Sequence, residues 1–339
     1  MNRRGMLRGA AALGLSIGGS SVLTVKGQGS DLTKVTLQLG WLASDGVLGE
    51  TVAMKKGFFA DEGLELEIVL GGPNIDGVAG VASGQQTSGQ TSSSPAVMLA
   101  RSAGIPVKAF AAGFQKHPFT FFSLSDAPIR EPKDMIGKTV ATQPTAVILV
   151  KALLAKNNID PSQVNVVNMG SDMNQLMTGQ VQAVTGWLTN VNALKVIGDK
   201  RVDMSLWDTG IHLYANVYFS TDKIISEQPK ILEAYVRATA RGWGYARKNR
   251  EEAVDILVAT YPILDRASEL KAVGSLMDFS FTDVTKTEGW GAMNRDNWAA
   301  QLSTYKDLKQ FTNSVPTVDD VMTTAILDAT LATRQQVAV

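Results

Sequence analysis

The sequence predicts an α/β protein of two lobes, each a mainly parallel sheet flanked by helices, with a ligand cleft between them. Its 339 residues exceed what one ordinary hydrophobic core holds, so two lobes are the default expectation. Residues 35–70 read as strand, loop, helix, turn and second strand in one continuous unit. Such a unit joins two parallel strands through a right-handed crossover. A similar strand, loop and helix order returns after residue 138 and indicates the second lobe.

The opening unit starts with the strand VTLQL, whose alternating, β-branched residues favour an extended backbone. From Val47 to Lys56 apolar residues recur at roughly helical spacing, and Gly57 ends that helix. LELEIVL forms the second strand. Open parallel sheets bind ligands at the carboxyl ends of their strands. The loop from Gly40 to Gly46 is therefore the first candidate binding region.

Further along the chain, IPVKAFAAGF predicts a buried strand, and the chain then leaves the first lobe. KTVAT and the helix from Thr145 to Lys156 open the second lobe, VQAVTGW adds a buried strand, and LYANVYFST returns to the first. SEQPKILEAYVRATARGWGYARKN has one apolar face and predicts a long amphipathic helix. We expect lobe I to comprise residues 33–124 and 219–339, and lobe II residues 125–218.

Residues 1–30 have the layout of an export signal, with a basic start, a weakly apolar run and a polar exit. Arg3 and Arg4, followed by Met6, Leu7 and Arg8, resemble a twin-arginine signal. An ordinary secretory signal and a retained membrane anchor are the alternatives. The chain has no cysteine, so disulfides, thiolate catalysis and a lipid attached to cysteine are excluded. We expect a periplasmic protein that is not a lipoprotein.

Charge and motifs narrow the function classes. Four of the 32 basic residues fall in the acid-free first 30, which leaves a net charge of −4 on the remainder and no basic field for nucleic acid. The sequence has no G-x-S-x-G, G-x-x-x-x-G-K-[ST], G-x-G-x-x-G or H-E-x-x-H motif. Only two histidines occur, so a histidine-based enzyme or metal site has weak support. We expect no enzyme activity, no metal and no cofactor.

The candidate binding residues stand in loops at predicted strand ends of both lobes. This set is aromatic and neutral-polar, with one acid and no arginine, and it favours a neutral or cationic flat ligand over an anion held by arginine. Its members are Trp41, Asp45, Ser93, Phe114, His117, Gln143, Thr145, Trp187, Asn190 and Tyr214.

Several of these residues also have a plain structural interpretation. Asp45 suits an Asp-Gly turn, Ser93 a helix cap, and Asn190 the first turn of a helix. His117 precedes a proline in the expected lobe crossing, and Tyr214 lies in the returning segment, where a hinge or core role is open.

Five segments together resemble a known family, and they are co-linear from about Val35 to Ala253. They are GWLASDGVLGETVAMKKGFFADEGLELEIV, ARSAGIPVKAFAA, PKDMIGKTVAT, TGQVQAVTGW and QPKILEAYVRATARGWGYARKNREEAV. In their order they are similar to the periplasmic substrate-binding proteins of ABC importers for nitrate, sulfonates, taurine and thiamine pyrimidine precursors. The resemblance implies a type II-like binding-protein fold that closes on a small molecule and delivers it to a membrane permease with its ATPase subunit.

Within that family the pyrimidine-precursor branch implies that Trp41 and second-lobe aromatics flank a heteroaromatic ring. That branch often has an acid after the second-lobe aromatic, where this chain has Leu188, Thr189 and Asn190, so an aliphatic sulfonate, taurine or nitrate stays an alternative. Two other classes also stay open: a pyrimidine-precursor synthase-like enzyme and an effector-sensing domain. We expect a monomer.

Overall fold

Two five-stranded sheets organise the part of the chain that the structure describes. The structure is a computed structural model, and it describes residues 32–339 apart from 73, 74 and 76. The expected export signal lies outside these residues. The strands are β1 (Thr33–Leu39), β2 (Leu64–Val69), β3 (Ser88–Thr91), β4 (Val107–Phe114), β5 (Phe119–Leu124), β6 (Thr139–Thr142), β7 (Asn165–Asn168), β8 (Ala183–Trp187), β9 (Arg201–Ser205) and β10 (Ala215–Thr221).

The first sheet has the strand order β2-β1-β3-β10-β4. β1 runs parallel to β2, from the pair Thr33 and Leu64 to the pair Gln38 and Val69, and parallel to β3. β10 runs antiparallel to both of its neighbours, β3 and β4. Every residue of β10 is buried. Burial on both faces explains why the sequence of β10 lacks alternation.

The second sheet repeats this plan with the order β7-β6-β8-β5-β9. β6 is parallel to β7 and to β8, while β5 is antiparallel to β8 and to β9. The predicted α/β architecture with two similar sheets is therefore confirmed. Each sheet is mixed rather than purely parallel, because the strand that follows a crossing, β5 or β10, runs antiparallel to its neighbours.

β5 and β10 show where the chain passes from one sheet to the other, and the expected lobe boundaries at 124/125 and 218/219 stay a prediction. β5 hydrogen-bonds within the second sheet, so the first crossing is 115–118, and β10 belongs to the first sheet, so the return is 206–214. Neither position could be read locally, because FTFFSL and ANVYFST are strand-like wherever they pair. Long-range pairing decides to which sheet each strand belongs.

Helices cover the sheets. They are α1 (Leu48–Lys55), α2 (Phe58–Asp61), α3 (Gly77–Ala82), α4 (Pro95–Ser102), α5 (Val147–Lys156), α6 (Asn174–Met177), α7 (Val191–Leu194), α8 (Asp222–Glu227), α9 (Pro229–Lys248), α10 (Arg250–Thr260), α11 (Arg266–Ser280), α12 (Asp283–Glu288), α13 (Arg295–Asp307), α14 (Val318–Val321), α15 (Ala325–Ala329) and α16 (Leu331–Ala338). None of the helices within residues 32–339 is both long and apolar enough to span a bilayer.

The closest helix crossing holds the opening unit in place. α1 packs on α9 where Gly49 meets Gly242 and Trp243. A Cβ atom at Gly242 would lie 2.0 Å from the Gly49 carbonyl oxygen, so only glycine permits this approach. The crossing fixes the start of α1, and with it the loop that follows β1.

Candidate functional site

A cavity of about 520 Å³ lies between the strand ends of the two sheets. Its walls include the residues that follow β1 and β3 in the first sheet, and β6 and the end of β8 in the second. These are carboxyl ends of parallel strands, the edge at which open α/β sheets bind ligands. The volume is in the range of small-molecule sites.

Eight of the ten candidate residues line this one cavity. They are Trp41, Asp45, Ser93, His117, Gln143, Thr145, Trp187 and Asn190. The strand-end argument thus brings together residues that are up to 149 positions apart in the chain. Their contact with a ligand stays a prediction.

Phe114 and Tyr214 do not line the cavity. Phe114 is fully buried at the end of β4, and its ring centroid lies 5.7 Å from that of Trp187 and 5.6 Å from that of Trp243. The Tyr214 hydroxyl accepts a hydrogen bond from the Asn294 amide at 2.9 Å. Both residues adjoin the crossings, where the chain passes behind the cavity, so Phe114 supports Trp187 and Tyr214 anchors the returning segment.

The Trp187 indole forms one aromatic wall. It is only partly buried, and two other rings contact it. Phe114 is tilted 54° to it, and His117 lies edge-on with centroids 6.0 Å apart. Trp41 is also partly buried and stands in the loop after β1. Two indoles on one cavity offer flat, apolar faces to a ring.

His117 presents a fixed N–H to the cavity. Its Nδ1 accepts a hydrogen bond from the Phe119 amide at 3.1 Å, so the proton of the neutral ring is on Nε2. Burial lowers the pKa of His117 to about 3, against the opposite effect of the Ser92 backbone. Among the described residues Nε2 has no hydrogen-bond partner. His117 is therefore a neutral donor that the Ser92 backbone partly satisfies, and its Nε2 makes no hydrogen bond of standard geometry to a described residue.

Asp45 presents a carboxylate to the same cavity from the 3₁₀ turn Asp45–Val47. It is 5% exposed, and its Oδ2 has no hydrogen-bond partner among the described residues. Burial raises the pKa of Asp45, and the hydroxyls of Thr189 and Ser44 and the Gly46 amide oppose that rise. Ser93 Oγ is also buried without a partner in this part of the chain. Buried polar groups are normally paired, so these atoms are suited to bind a ligand.

The other polar candidates are partly engaged. Asn190 Oδ1 caps α7 by accepting a hydrogen bond from the Ala193 amide at 3.3 Å. Gln143 Nε2 donates to the carbonyls of Gly170 and Thr185, at 3.4 Å each. Thr145 is exposed at the cavity rim.

Gln90 and Glu50 form a second layer that sequence reasoning missed. Gln90 lines the cavity from β3, and its Nε2 donates to Glu50 Oε1 at 3.2 Å. Tyr218 also donates its hydroxyl to Glu50. Burial raises the pKa of Glu50 to about 7, and hydrogen bonding from the Tyr218 hydroxyl, the Glu50 backbone and the Trp243 indole opposes this rise less strongly. The short, polar strand SGQT carries no periodic signal that would have revealed this layer.

Glu269 is a further carboxyl that the sequence did not indicate. It lies on α11, which packs against the turn that carries Asp45, and it is 8% exposed. Burial and then the charges of Asp45 and Asp265 raise the pKa of Glu269 to about 7. No lysine or arginine is among the described residues that line the cavity. Among the described lining residues Asp45 is thus the one acid, and the other polar side chains are neutral.

Comparison with known proteins assigns the family. A family model described as NMT1/THI5 like matches residues 46–253, which is more than half of the chain. The chain belongs to the NMT1/THI5-like family. The matched residues include Trp187, His117 and helix α1, which follows the turn that carries Asp45.

Three relatives of known name are similar over most of their length. The riboflavin-binding protein RibY of Chloroflexus aurantiacus is 26% identical over 83% of this chain and 86% of its own. A formylaminopyrimidine-binding protein of Halalkalibacterium halodurans is 26% identical over 70% of this chain and 75% of its own. A 4-amino-5-hydroxymethyl-2-methylpyrimidine phosphate synthase of Legionella pneumophila is 24% identical over 78% of this chain and 85% of its own.

Solved structures share the fold. The alkanesulfonate-binding protein SsuA of Xanthomonas axonopodis pv. citri superposes with a TM-score of 0.66 at 14% identity, over 86% of this chain and 98% of its own. The ligand-binding component of an ABC-type import system of Staphylococcus aureus superposes with a TM-score of 0.66 at 13% identity. This match covers 87% of this chain and 98% of its own. The chain therefore has the two-lobe fold of periplasmic binding proteins, as the resemblance implied.

Proposed function

We propose that this protein is the solute-binding component of an ABC importer and that it captures a small heteroaromatic molecule between its two lobes. One observation carries the proposal: a single cavity joins the strand ends of both sheets, with the indoles of Trp41 and Trp187 on it and buried polar atoms left without partners. Such a cavity suits a flat ring with a few hydrogen-bonding groups. Closure around the ligand would then create the surface that a permease recognises.

The names of the relatives support this ligand class. Two of them are named for binding riboflavin and formylaminopyrimidine, and both ligands contain nitrogen heterocycles. A thiamine pyrimidine precursor is the specific candidate that the sequence favoured. The alternative is an aliphatic sulfonate, taurine or nitrate, and the fold neighbour SsuA favours it. Against that alternative, none of the described lining residues is a lysine or an arginine.

We propose no catalytic residue. One relative is named a synthase, so an enzyme is the candidate from another class. The two histidines lie apart: His117 faces the cavity, whereas His212 stacks on Trp207 at 4.3 Å between centroids. Among the described residues no cluster of three metal-ligating side chains occurs.

We also propose that the protein is exported, acts in the periplasm and works as a monomer. Arg3 and Arg4 ahead of an apolar run support export. Residues 33–114 with 215–339 would form lobe I, and 119–205 lobe II, with the two crossings as the hinge. One ion pair joins helices on either side of the cleft, Lys195 Nζ to Asp265 Oδ1 at 2.6 Å.

Isothermal titration calorimetry with aminopyrimidines, riboflavin, alkanesulfonates and nitrate tests the proposal. We expect heat from at least one heterocycle, a decrease in the X-ray scattering radius on its addition, and little heat from nitrate. Trp187→Ala should weaken binding by about 10-fold or more, since an aromatic contact is worth roughly 1 kcal/mol beyond the area it buries. Trp207→Ala is the matched control, because this indole stacks outside the cavity. Heat from no compound, with an unchanged radius, would refute the proposal.

A further inference from the structure

We propose that the cavity selects a ligand with a cationic group, which binds Asp45, and that Glu269 behind Asp45 strengthens this charge preference. The inference rests on the proposed function and narrows its ligand class from neutral or cationic to cationic. It assigns the charge preference to two carboxyls on separate elements, one inside the cavity and one outside its lining.

The free carboxylate oxygen of Asp45 is the first step. Asp45 is 5% exposed and lines the cavity. Its Oδ2 has no hydrogen-bond partner in the described part of the chain. A buried carboxylate oxygen accepts hydrogen bonds and cannot donate one while ionised. A sulfonate, nitrate or carboxylate ligand has only acceptors to offer at this position. A ligand with a charged N–H group would satisfy it.

The second carboxyl adds to the negative potential. α11 packs against the Asp45–Val47 turn, and Glu269 on this helix is 8% exposed. Burial, and after it the charges of Asp45 and Asp265, raise the pKa of Glu269, so the carboxyls are close enough for their charges to interact. Two carboxyls that share a poorly solvated site resist ionising together, and a cation relieves the repulsion.

The protein supplies no cation to this pair. Neither Asp45 nor Glu269 forms an ion pair with any described residue, and no lysine or arginine is among the described lining residues. The nearby ammonium of Lys195 is bonded to Asp265, the N-cap of α11, at 2.6 Å. Positive charge at Asp45 would therefore have to come from the ligand.

His117 favours a ligand that carries a hydrogen-bond acceptor. Its Nε2–H is buried and makes no hydrogen bond of standard geometry to a described residue, although the Ser92 backbone acts on it, and burial keeps the ring neutral by lowering its pKa. A neutral imidazole does not repel a cation. The favoured ligand is then an aromatic ring that carries a protonated nitrogen substituent and, separately, a hydrogen-bond acceptor.

Three compounds of one shape and different charge test the inference: benzamidine, benzamide and benzoate. Titrations are followed by ligand-observed NMR and tryptophan fluorescence at pH 7.5. We expect benzamidine to bind about 10-fold to 100-fold more tightly than benzamide, the range of one charge-assisted hydrogen bond, and benzoate most weakly. Asp45→Asn should remove this preference. Glu269→Gln should reduce this preference by a smaller factor.

Asp126→Asn is the matched control, because Asp126 is an exposed residue of the second lobe that pairs with Lys200. Glu269→Gln provides an independent test should Asp45→Asn fail to fold. If benzamide or benzoate binds at least as tightly as benzamidine, the cavity still captures a ring and only the charge preference is refuted. If both variants weaken all three compounds equally, the charge preference is likewise refuted. If none of the three binds, aromatic capture and the charge preference fail together.

Discussion

Replacement of Glu50 by glutamine should remove a large part of the pH dependence of folding. Glu50 lies in α1 with no exposed surface, and hydrogen bonds from Tyr218 and Gln90 reach its Oε1. Burial outweighs these bonds and raises the pKa of Glu50 from 4.5 to about 7. The folded chain therefore keeps this proton over a pH range in which the unfolded chain has lost it.

The sign and size of the effect follow from that difference. The stability contributed by the protonated group is complete below pH 4.5 and is lost as the pH rises through about 7. At about 1.4 kcal/mol per pKa unit, the free energy of unfolding falls by about 3 kcal/mol across this interval because of Glu50 alone. Glutamine keeps the size and the acceptor for Tyr218 but does not titrate.

Urea unfolding at pH 5 and pH 8, followed by circular dichroism, measures this difference in wild type and in Glu50→Gln. We expect the wild type to lose about 3 kcal/mol more than the variant between the two pH values. Glu65→Gln on β2 is the control, since Glu65 is an exposed residue of the same lobe. An equal pH dependence in wild type and Glu50→Gln would refute the argument.

Three other predictions test the packing, the cleft and the acidic pair. Gly242→Ala should lower the free energy of unfolding by about 1–3 kcal/mol, because its Cβ would lie 2.0 Å from a carbonyl oxygen of α1. Gly170→Ala is the control in the same urea unfolding. Its Cβ would meet one atom at 3.9 Å, so it should lower the free energy of unfolding by less than about 0.5 kcal/mol. Lys195→Gln breaks the half-exposed pair with Asp265 and should speed ligand release about 2-fold to 5-fold in stopped-flow fluorescence, whereas an unchanged rate would mean that the pair does not stabilise the closed form. A bound cation should lower the Glu269 pKa from about 7, so benzamidine binding at pH 7 should release protons; calorimetry in buffers of different ionisation heat should show this release in wild type and not in Glu269→Gln.

Local pattern was sufficient for most of the fold. β1, α1 and β2 follow the alternation and helical spacing of residues 33–69, and the apolar face of α9 is visible in the sequence. β3 was not predicted, because Ser88–Thr91 is short and polar yet entirely buried. Its extended state depends on pairing with β1 and β10, which only the folded chain supplies. The sheet to which β5 and β10 belong likewise depends on pairing in the folded chain.

The sequence predicts only those cavity residues that stand at the ends of strands. Trp41 and Trp187 stand directly at such ends, so topology alone brought them together. Phe114 and Tyr214 lie outside this cavity because they stand at the two crossings, where Phe114 packs on Trp187 and Tyr214 borders a second cavity. No pattern in the sequence indicated Glu269. It is more than 200 positions from Asp45 in the chain, and the packing of α11 against the turn that carries Asp45 brings it close.

Native mass spectrometry of the protein purified from its native source tests the central claim most directly. We predict that wild type retains one small aromatic molecule, that Trp207→Ala retains it as well, and that the Trp41→Ala, Trp187→Ala double variant does not. A wild-type protein without any bound molecule, or equal retention of the molecule in the double variant, would contradict capture between these two indoles.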